Sequence, residues 1–239
     1  MLMEGTTLGR LADDGRFASE DDLERTFVER FQTTLGMALV ACSAQNIDRV
    51  VTVYRAAKRT GRTLIIDAYA AEVLKATEHD SIPKVGKGWP NIAIFIPHAQ
   101  RIQLKRKSIA RLVDSYRGFR LWPEQLAELA LRSVMLFRGW MFRDLERAGA
   151  LAGAHVFWSM WDGYLRDGSG ARLKADCEAR GIPFDIVHTS GHASPRDLQR
   201  LAAAVAPKRL IPIHTFDRDR FPELFDNVEL VDDGQWSEA

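Results

Sequence analysis

His188-Thr189-Ser190-Gly191-His192-Ala193-Ser194 and, further along, Leu210-Ile211-Pro212-Ile213-His214-Thr215 decide how this chain reads. Each follows or contains an apolar run of strand character, Phe184 to Val187 in the first case and Arg209 to Ile213 in the second, and each sets a histidine in the turn after it. Between them Pro195 to Ala206 reads as one helix, with Ser194 as N-cap, Pro195 in the first turn and Asp197 as an early acid. The order strand, His turn, helix, strand, His turn belongs to an α/β protein. It places both turns on one edge of a sheet, where such proteins build their sites. Histidines at strand ends also occur as satisfied structural residues, so spacing alone does not name a chemistry.

Upstream the same alternation holds. Met1 to Glu4 reads as a short strand running into a Gly-Thr-Thr-Leu-Gly loop, and Ser19-Glu20-Asp21-Asp22 as a capping box opening a helix to about Thr33. Met37 to Cys42 reads as a buried strand, Ile47 to Arg59 as an amphipathic helix, Thr63 to Asp67 as a strand and Ala70 to Thr77 as a helix. Asn91 to Ile96 reads as a further strand, followed by a long basic helix from about Gln100 to Ser115. Val134 to Phe137 and His155 to Met160 add strands, then helix and strand alternate from Arg172 to a last strand near Val228 to Val231. A βαβα order favours a parallel sheet with right-handed crossovers. Asp167-Gly168-Ser169-Gly170 is the best boundary loop.

At 239 residues, 46% hydrophobic and 27% charged, the chain can bury one large or two small cores. Its longest apolar runs, such as Ile92-Ala93-Ile94-Phe95-Ile96, are too short to cross a bilayer, and no leader is visible, so a cytoplasmic protein with no membrane partner is expected. Cys42 and Cys177 stand in no metal-binding spacing and read as buried thiols. The net charge of +1 excludes a generic polyanion binder. Locally, Arg101, Lys105, Arg106, Lys107, Arg111, Arg117 and Arg120 stand against the single acid Asp114, which is either a phosphate-meeting patch or a solvated helix face.

Ser-Gly-His-Ala-Ser before a helix, then Pro-Lys-x-Leu-Ile-Pro-Ile-His, resembles the C-terminal signature of metallo-β-lactamase-fold hydrolases of the β-CASP group, RNase J-like nucleases among them. The resemblance implies an α/β fold in which a Rossmann-like β-CASP insert, residues 20–150, interrupts the C-terminal part of a metallo-β-lactamase αββα sandwich, residues 1–19 and 151–239. It implies that His214 is a zinc ligand. It implies that His192 contacts the scissile phosphate and assists the leaving group, paired with Glu4 of Met3-Glu4-Gly5-Thr6-Thr7, a pairing that favours the protonated ring.

Three serines are substrate-contact candidates. Ser43, in Ser43-Ala44-Gln45-Asn46, either meets a phosphate at a helix amino end or takes part with Asn46 in capping. Ser159, in Ser159-Met160-Trp161-Asp162-Gly163-Tyr164, either touches a nucleic-acid backbone while Trp161 or Tyr164 stacks on a base, or sits among packing aromatics. Ser194 reads foremost as the helix cap. His79, His98, His155 and His188 have no partner visible in sequence.

Family members hold two zinc ions through a His-x-His-x-Asp-His motif, which this chain lacks. The expectation is therefore a C-terminal fragment or subunit of a zinc-dependent hydrolase, its full form a ribonuclease acting on RNA phosphodiesters. By itself the chain is expected to be inactive and not to retain the zinc pair. A late start codon, a split or decayed gene, or a second polypeptide that completes the fold, including a homo-oligomer partner, would each explain the missing half. The rival expectation is a metal-free α/β module that binds nucleic acid or a partner through the 101–120 face.

Overall fold

The structure, a computed structural model, describes residues 1–9, 17–86, 88–109 and 111–236. The chain divides into two compact units, Met1–Ala18 with Ser190–Ala239, and Ser19–Thr189. The first strand, β1 (Leu2–Glu4), belongs to the smaller unit.

The larger unit begins with a capping box. Ser19 Oγ accepts from Asp22 N at 3.1 Å and the Asp22 carboxylate accepts from Ser19 N at 2.8 Å, which starts α1 (Glu20–Thr33) with three acids in its first turn. Then follow β2 (Ala38–Ala41), α2 (Ile47–Arg59), β3 (Thr63–Ile66), α3 (Ala68–Ala76), β4 (Ile92–Phe95), α4 (His98–Arg106) and α5 (Arg111–Ser115). The second half adds β5 (Arg120–Leu121), α6 (Pro123–Leu129), β6 (Ser133–Leu136), α7 (Phe142–Arg147), β7 (His155–Trp158), α8 (Gly168–Ala179) and β8 (Phe184–Ile186). These strands form one seven-stranded parallel sheet in the order β5-β4-β3-β6-β2-β7-β8.

A parallel sheet is covered on both faces, so its strands read as nearly continuous apolar runs. The period of two then sorts side chains between layers. Ala38, Val40, Leu64, Ile66 and Phe157 pack under α1, α2 and α3, whereas Met37, Leu39, Ile65, Val156 and Trp158 pack under α6, α7 and α8. This is the α/β, Rossmann-like fold that the alternation predicts.

Several boundaries differ from expectation. Residues 151–189, expected in the lactamase-like part, belong to the larger unit because β7 hydrogen-bonds to β2 and β8 to β7. Asp167–Gly170 is not a boundary: Gly170 lies buried inside α8, where an added Cβ would collide with the Tyr164 carbonyl oxygen, so close approach explains this glycine. The single basic helix divides into α4 and α5, with Ser108 at a φ of 57° between them; position 110 lies outside the described residues. The two-residue β5 is too short to carry a periodic signal.

In the smaller unit β1 pairs in parallel with β9 (Ile211–Ile213), and α9 (Pro195–Val205) and α10 (Phe221–Leu224) complete a core of Met3, Leu8, Leu198, Leu210, Phe221 and Phe225. The expected last strand is a single bridge, Leu210 to Val228. The two histidine turns thus do not follow strands of one sheet, since β8 lies in the seven-stranded sheet and β9 in this smaller one. Among the described residues no helix is long and apolar enough to cross a membrane.

Phe27, Phe31 and Phe157 are fully buried with ring centroids 5.4 to 6.4 Å apart, joining α1 to the middle of the sheet. Phe157→Ala removes a side chain from a site with no means of collapsing, and is expected to destabilise the larger unit by roughly 3–5 kcal/mol in urea unfolding. A loss below about 1 kcal/mol would mean that this cluster does not hold α1 to the sheet.

Candidate functional site

β1 and β9 run parallel with Glu4 opposite Ile213, so Glu4 and His214 emerge side by side at the carboxyl ends of adjacent strands. The turn after each is tightly specified. A Cβ on Gly5 would lie 2.5 Å from the Phe221 ring and 2.9 Å from Thr215 Oγ1, so the backbone must pass close there. Thr215 Oγ1 donates to Gly5 O at 3.0 Å and accepts from Asp217 N at 3.1 Å. His214 itself takes a left-handed φ of 49°, an uncommon conformation for a residue other than glycine. His192 arrives from the loop before α9, and Thr7 Oγ1 donates to Ala193 O at 2.7 Å to fix that loop to the turn after β1.

The side chains converge. His192 Nδ1 lies 2.9 Å from Glu4 Oε2, and the His192 and His214 ring centroids are 5.9 Å apart. Thr6 Oγ1 hydrogen-bonds to Glu4 Oε2 and lies 3.1 Å from His214 Nδ1. A threonine hydroxyl has one proton to give, and an ionised carboxylate only accepts. Thr6 therefore donates to Glu4 and accepts from His214 Nδ1–H, which leaves the Nε2 lone pair of His214 without a partner among the described residues; this tautomer is assigned from the hydrogen-bond network. On His192 the Nδ1–H likewise points to the carboxylate and Nε2 faces away from it. Burial raises the Glu4 carboxyl, but the hydrogen bonds from Thr6 and His192 and the charge of His192 outweigh it, and the group lies below its ordinary value.

The structure thus brings together Glu4, His192 and His214, three of the residues singled out from sequence, and adds Thr6, which the sequence did not mark. A threonine two residues after an acid at a strand end is too common a pattern to have announced it. The donor set does not fit a zinc pair. A tetrahedral zinc takes three or four protein ligands, and the open nitrogens at this site among the described residues are His214 Nε2 and His192 Nε2, the latter on a ring already tied to Glu4. Among the described residues no three His, Cys, Asp or Glu side chains gather in ligand geometry.

The three serines separate. Ser194 caps α9, accepting from Asp197 N at 3.2 Å and donating to its carboxylate at 2.7 Å. Ser43 is exposed and accepts from Gln45 N at 3.2 Å, while Asn46 caps α2 by accepting from Arg49 N at 3.1 Å. Ser159 is buried, accepts from Arg49 Nη1 at 2.6 Å and donates to Val187 O at 2.6 Å, so its hydroxyl is spent inside the larger unit and does not reach a substrate.

Ser159 belongs to a network around Arg49, which is fully buried. Arg49 Nε reaches both Glu20 oxygens at 3.1 Å and Nη2 reaches Oε1 at 2.8 Å, while Nη1 lies 3.4 Å from His188 Nδ1. Arginine only donates, so Nδ1 of His188 accepts and the ring is neutral. Burial and then the Arg49 charge hold the His188 imidazole below its ordinary value. Burial raises the Glu20 carboxyl, but hydrogen bonds from Arg49 and Thr52 and the Arg49 charge bring it below.

No family model and no curated protein matches the sequence. Among solved structures, the chain is similar to a crystal structure of a protein of unknown function from Enterococcus faecalis V583, with a TM-score of 0.67 and 20% identity. The match covers 98% of this chain and 50% of the other, so this chain spans about half the length of that protein. At this identity the likeness shows the fold.

The Arg49 network predicts a pH dependence. A histidine with a depressed folded value binds its proton in the unfolded chain first, so stability falls as pH drops below about 6.5, the ordinary histidine value. The depressed Glu20 carboxyl stabilises above its ordinary value, and that contribution is lost on further acidification through its folded value. Thermal unfolding between pH 7.5 and 5 is expected to show a shallower decline in His188→Asn than in the parent. Parallel curves would remove His188 from the account.

Proposed function

We propose that this chain carries the phosphate-facing half of a hydrolase acting on RNA phosphodiesters, with Glu4, His192 and His214 as its reacting end. The observation that carries this reading is the Glu4–His192 contact of 2.9 Å beside an imidazole whose Nε2 is open. His192, oriented through Nδ1 by Glu4, turns Nε2 outward. When protonated, that nitrogen can donate to a non-bridging phosphate oxygen and then pass its proton to the departing oxygen. Thr6 fixes the His214 tautomer. Because the described residues do not complete a zinc pair, the proton path rests on His192 and Glu4 themselves. The zinc of the full form, with His214 as one ligand, is part of the proposal.

The smaller unit supports an enzyme completed by further chain. A two-stranded parallel sheet is ordinarily covered on both faces, yet Leu2 is 65% and Ile213 43% exposed. The similar Enterococcus protein is about twice as long. We place the completed enzyme in the cytoplasm. Cys42 and Cys177 are free and buried, and burial pushes their thiols up to about 12 and about 11, which suits a compartment without disulfides.

The isolated chain with zinc is expected not to cleave single-stranded RNA. The complete assembly, recovered through a tag on this chain, is expected to do so, and His192→Ala in that assembly should slow the chemical step by about 10²- to 10⁴-fold. Glu4→Gln is expected to slow it less and to shift its pH profile. Equal turnover by the parent and His192→Ala assemblies would overturn the site.

A second reading, a metal-free nucleic-acid-binding module, draws on the 101–120 face. Among the described residues, Arg101 Nε and Arg120 Nε are buried with no hydrogen-bond partner, and the Arg120 guanidinium lies 4.0 Å from the centroid of Trp122, which is 47% exposed. A guanidinium stacked on an exposed indole suits a phosphate chain with a stacked base. On this reading single-stranded RNA binding survives chelator, falls steeply between 50 and 200 mM salt (roughly, for several phosphate contacts) and weakens in Arg120→Ala. Binding that is lost with chelator or insensitive to salt would dismiss it.

A further inference from the structure

The larger unit holds a second candidate site, made without any residue of the Glu4–His192 pair. β2 leads into α2 in one helix layer, while its neighbours β6 and β7 lead into α7 and α8 in the other. Where adjacent parallel strands send their chains to opposite faces, a crevice opens at the carboxyl edge, and ligands of α/β proteins sit in such crevices. Here the crevice is a cleft of about 490 Å³. Its inner wall is apolar, with Phe137 and Trp158 buried. Its rim is not: Arg138 and Trp140 come from the turn after β6, and Ser169 and Arg172 from the first turns of α8.

The charges of this rim do not cancel. Against Arg138 and Arg172, the acid of the lining is Asp176, which accepts from Arg180 Nη1 at 3.0 Å, a guanidinium it shares with Glu146. Arg138 lies 3.7 Å from the buried Asp67 carboxylate and 5.6 Å from the Tyr69 ring centroid, and is held in place by both. Arg172 is exposed and has no ion pair or hydrogen bond among the described residues. Asp167, the residue before α8, makes no side-chain cap, so the first amides of that helix stay available beside Ser169 and Arg172. Trp140 presents its indole at the rim, 45% exposed, although an indole normally contributes by burial. A bare anion would leave Trp140 unused, and an apolar ligand would leave Arg172 and the helix amides facing nothing. A ligand with a flat ring at one end and a phosphate at the other uses all of them.

We propose that this cleft binds a nucleoside monophosphate unit, its base stacked on Trp140 and its phosphate at Arg172 and the amino end of α8. That unit is either a free nucleotide or one residue of a single strand. The test is calorimetric titration of the full chain with AMP, adenosine, inorganic phosphate and a 5′-phosphorylated oligoadenylate. AMP is expected to bind saturably, with adenosine and phosphate each weaker by roughly tenfold or more. Arg172→Ala and Trp140→Ala should each weaken AMP by roughly tenfold, and Trp140→Phe should retain most of the affinity. Both side chains are surface-exposed, and unchanged thermal unfolding confirms that each variant folds. Tighter binding of the oligoadenylate identifies a strand as the source, and equal binding identifies the free nucleotide. Absence of saturable AMP binding, phosphate binding as tight as AMP, or AMP binding indifferent to both substitutions would each overturn the proposal. His192→Ala leaves this binding unchanged, so a failed hydrolase reading and a failed cleft remain distinguishable.

Discussion

A guanidinium with no exposure to water is the constraint around which the larger unit is arranged. Burying such a charge costs several kcal/mol unless its geometry and hydrogen bonds are complete, and Arg49 meets that condition with partners distant in sequence: Glu20 in the first turn of α1, Ser159 after β7 and His188 after β8. Glu20 and His188 lie next to the residues where the larger unit begins and ends, Ser19 and Thr189. Arg49 therefore fixes the entering and leaving segments to α2. Thr52, one turn further along α2, donates to Glu20 at 2.7 Å and completes the carboxylate. Removing any one partner leaves the buried Arg49 charge short of a hydrogen bond, and the cost falls on that guanidinium.

That closure sets what the carboxyl edge of the sheet can present. With α1 and α2 fixed in one layer, β2 must send its chain there, and the strands on either side of it, β6 and β7, send theirs to the other. The cleft follows from this divergence and not from any single loop. The buried and exposed tryptophans show the same division: Trp158 closes the inner wall, donating its indole N–H to Trp161 O at 3.2 Å, whereas Trp140 stands at the rim. One indole is satisfied by the fold. The other is satisfied by nothing within it.

What the sequence revealed follows the physics of each signal. Ile47–Arg59 has the same bounds in the structure as in the periodicity, because both ends carry strong markers, Asn46 as cap and Thr60 before Gly61. Glycines around 168–170 have the composition of a linker, whereas a close approach to the Tyr164 carbonyl requires the one at 170. For Ser159 the sequence leaves a substrate contact and a packed turn both open, because a Ser-Met-Trp turn carries no sign that an arginine distant in the chain will bury it. His188 and His192 are close in sequence, yet they fall in different units and take different work, one accepting from Arg49 and the other pairing with Glu4. Pairings such as these depend on topology, which local pattern does not encode.

The smaller unit shows how one hydroxyl can differentiate two like groups. His192 and His214 have rings 5.9 Å apart and similar surroundings in sequence, each following a short apolar run or a glycine. Among the described residues Glu4 and Thr6 link them, Glu4 through His192 and Thr6 through His214. Because Thr6 spends its single proton on Glu4, it can only accept from His214, and His214 is thereby held with a lone pair outward. His192 meets the carboxylate itself, so its Nδ1 proton is held there and the opposite nitrogen faces away from it. If Thr6 were absent, either nitrogen of His214 could carry the proton and the two rings would have no fixed division between donor and acceptor. The division of labour at this site therefore rests on a residue with no chemistry of its own, placed by the turn that Gly5 permits.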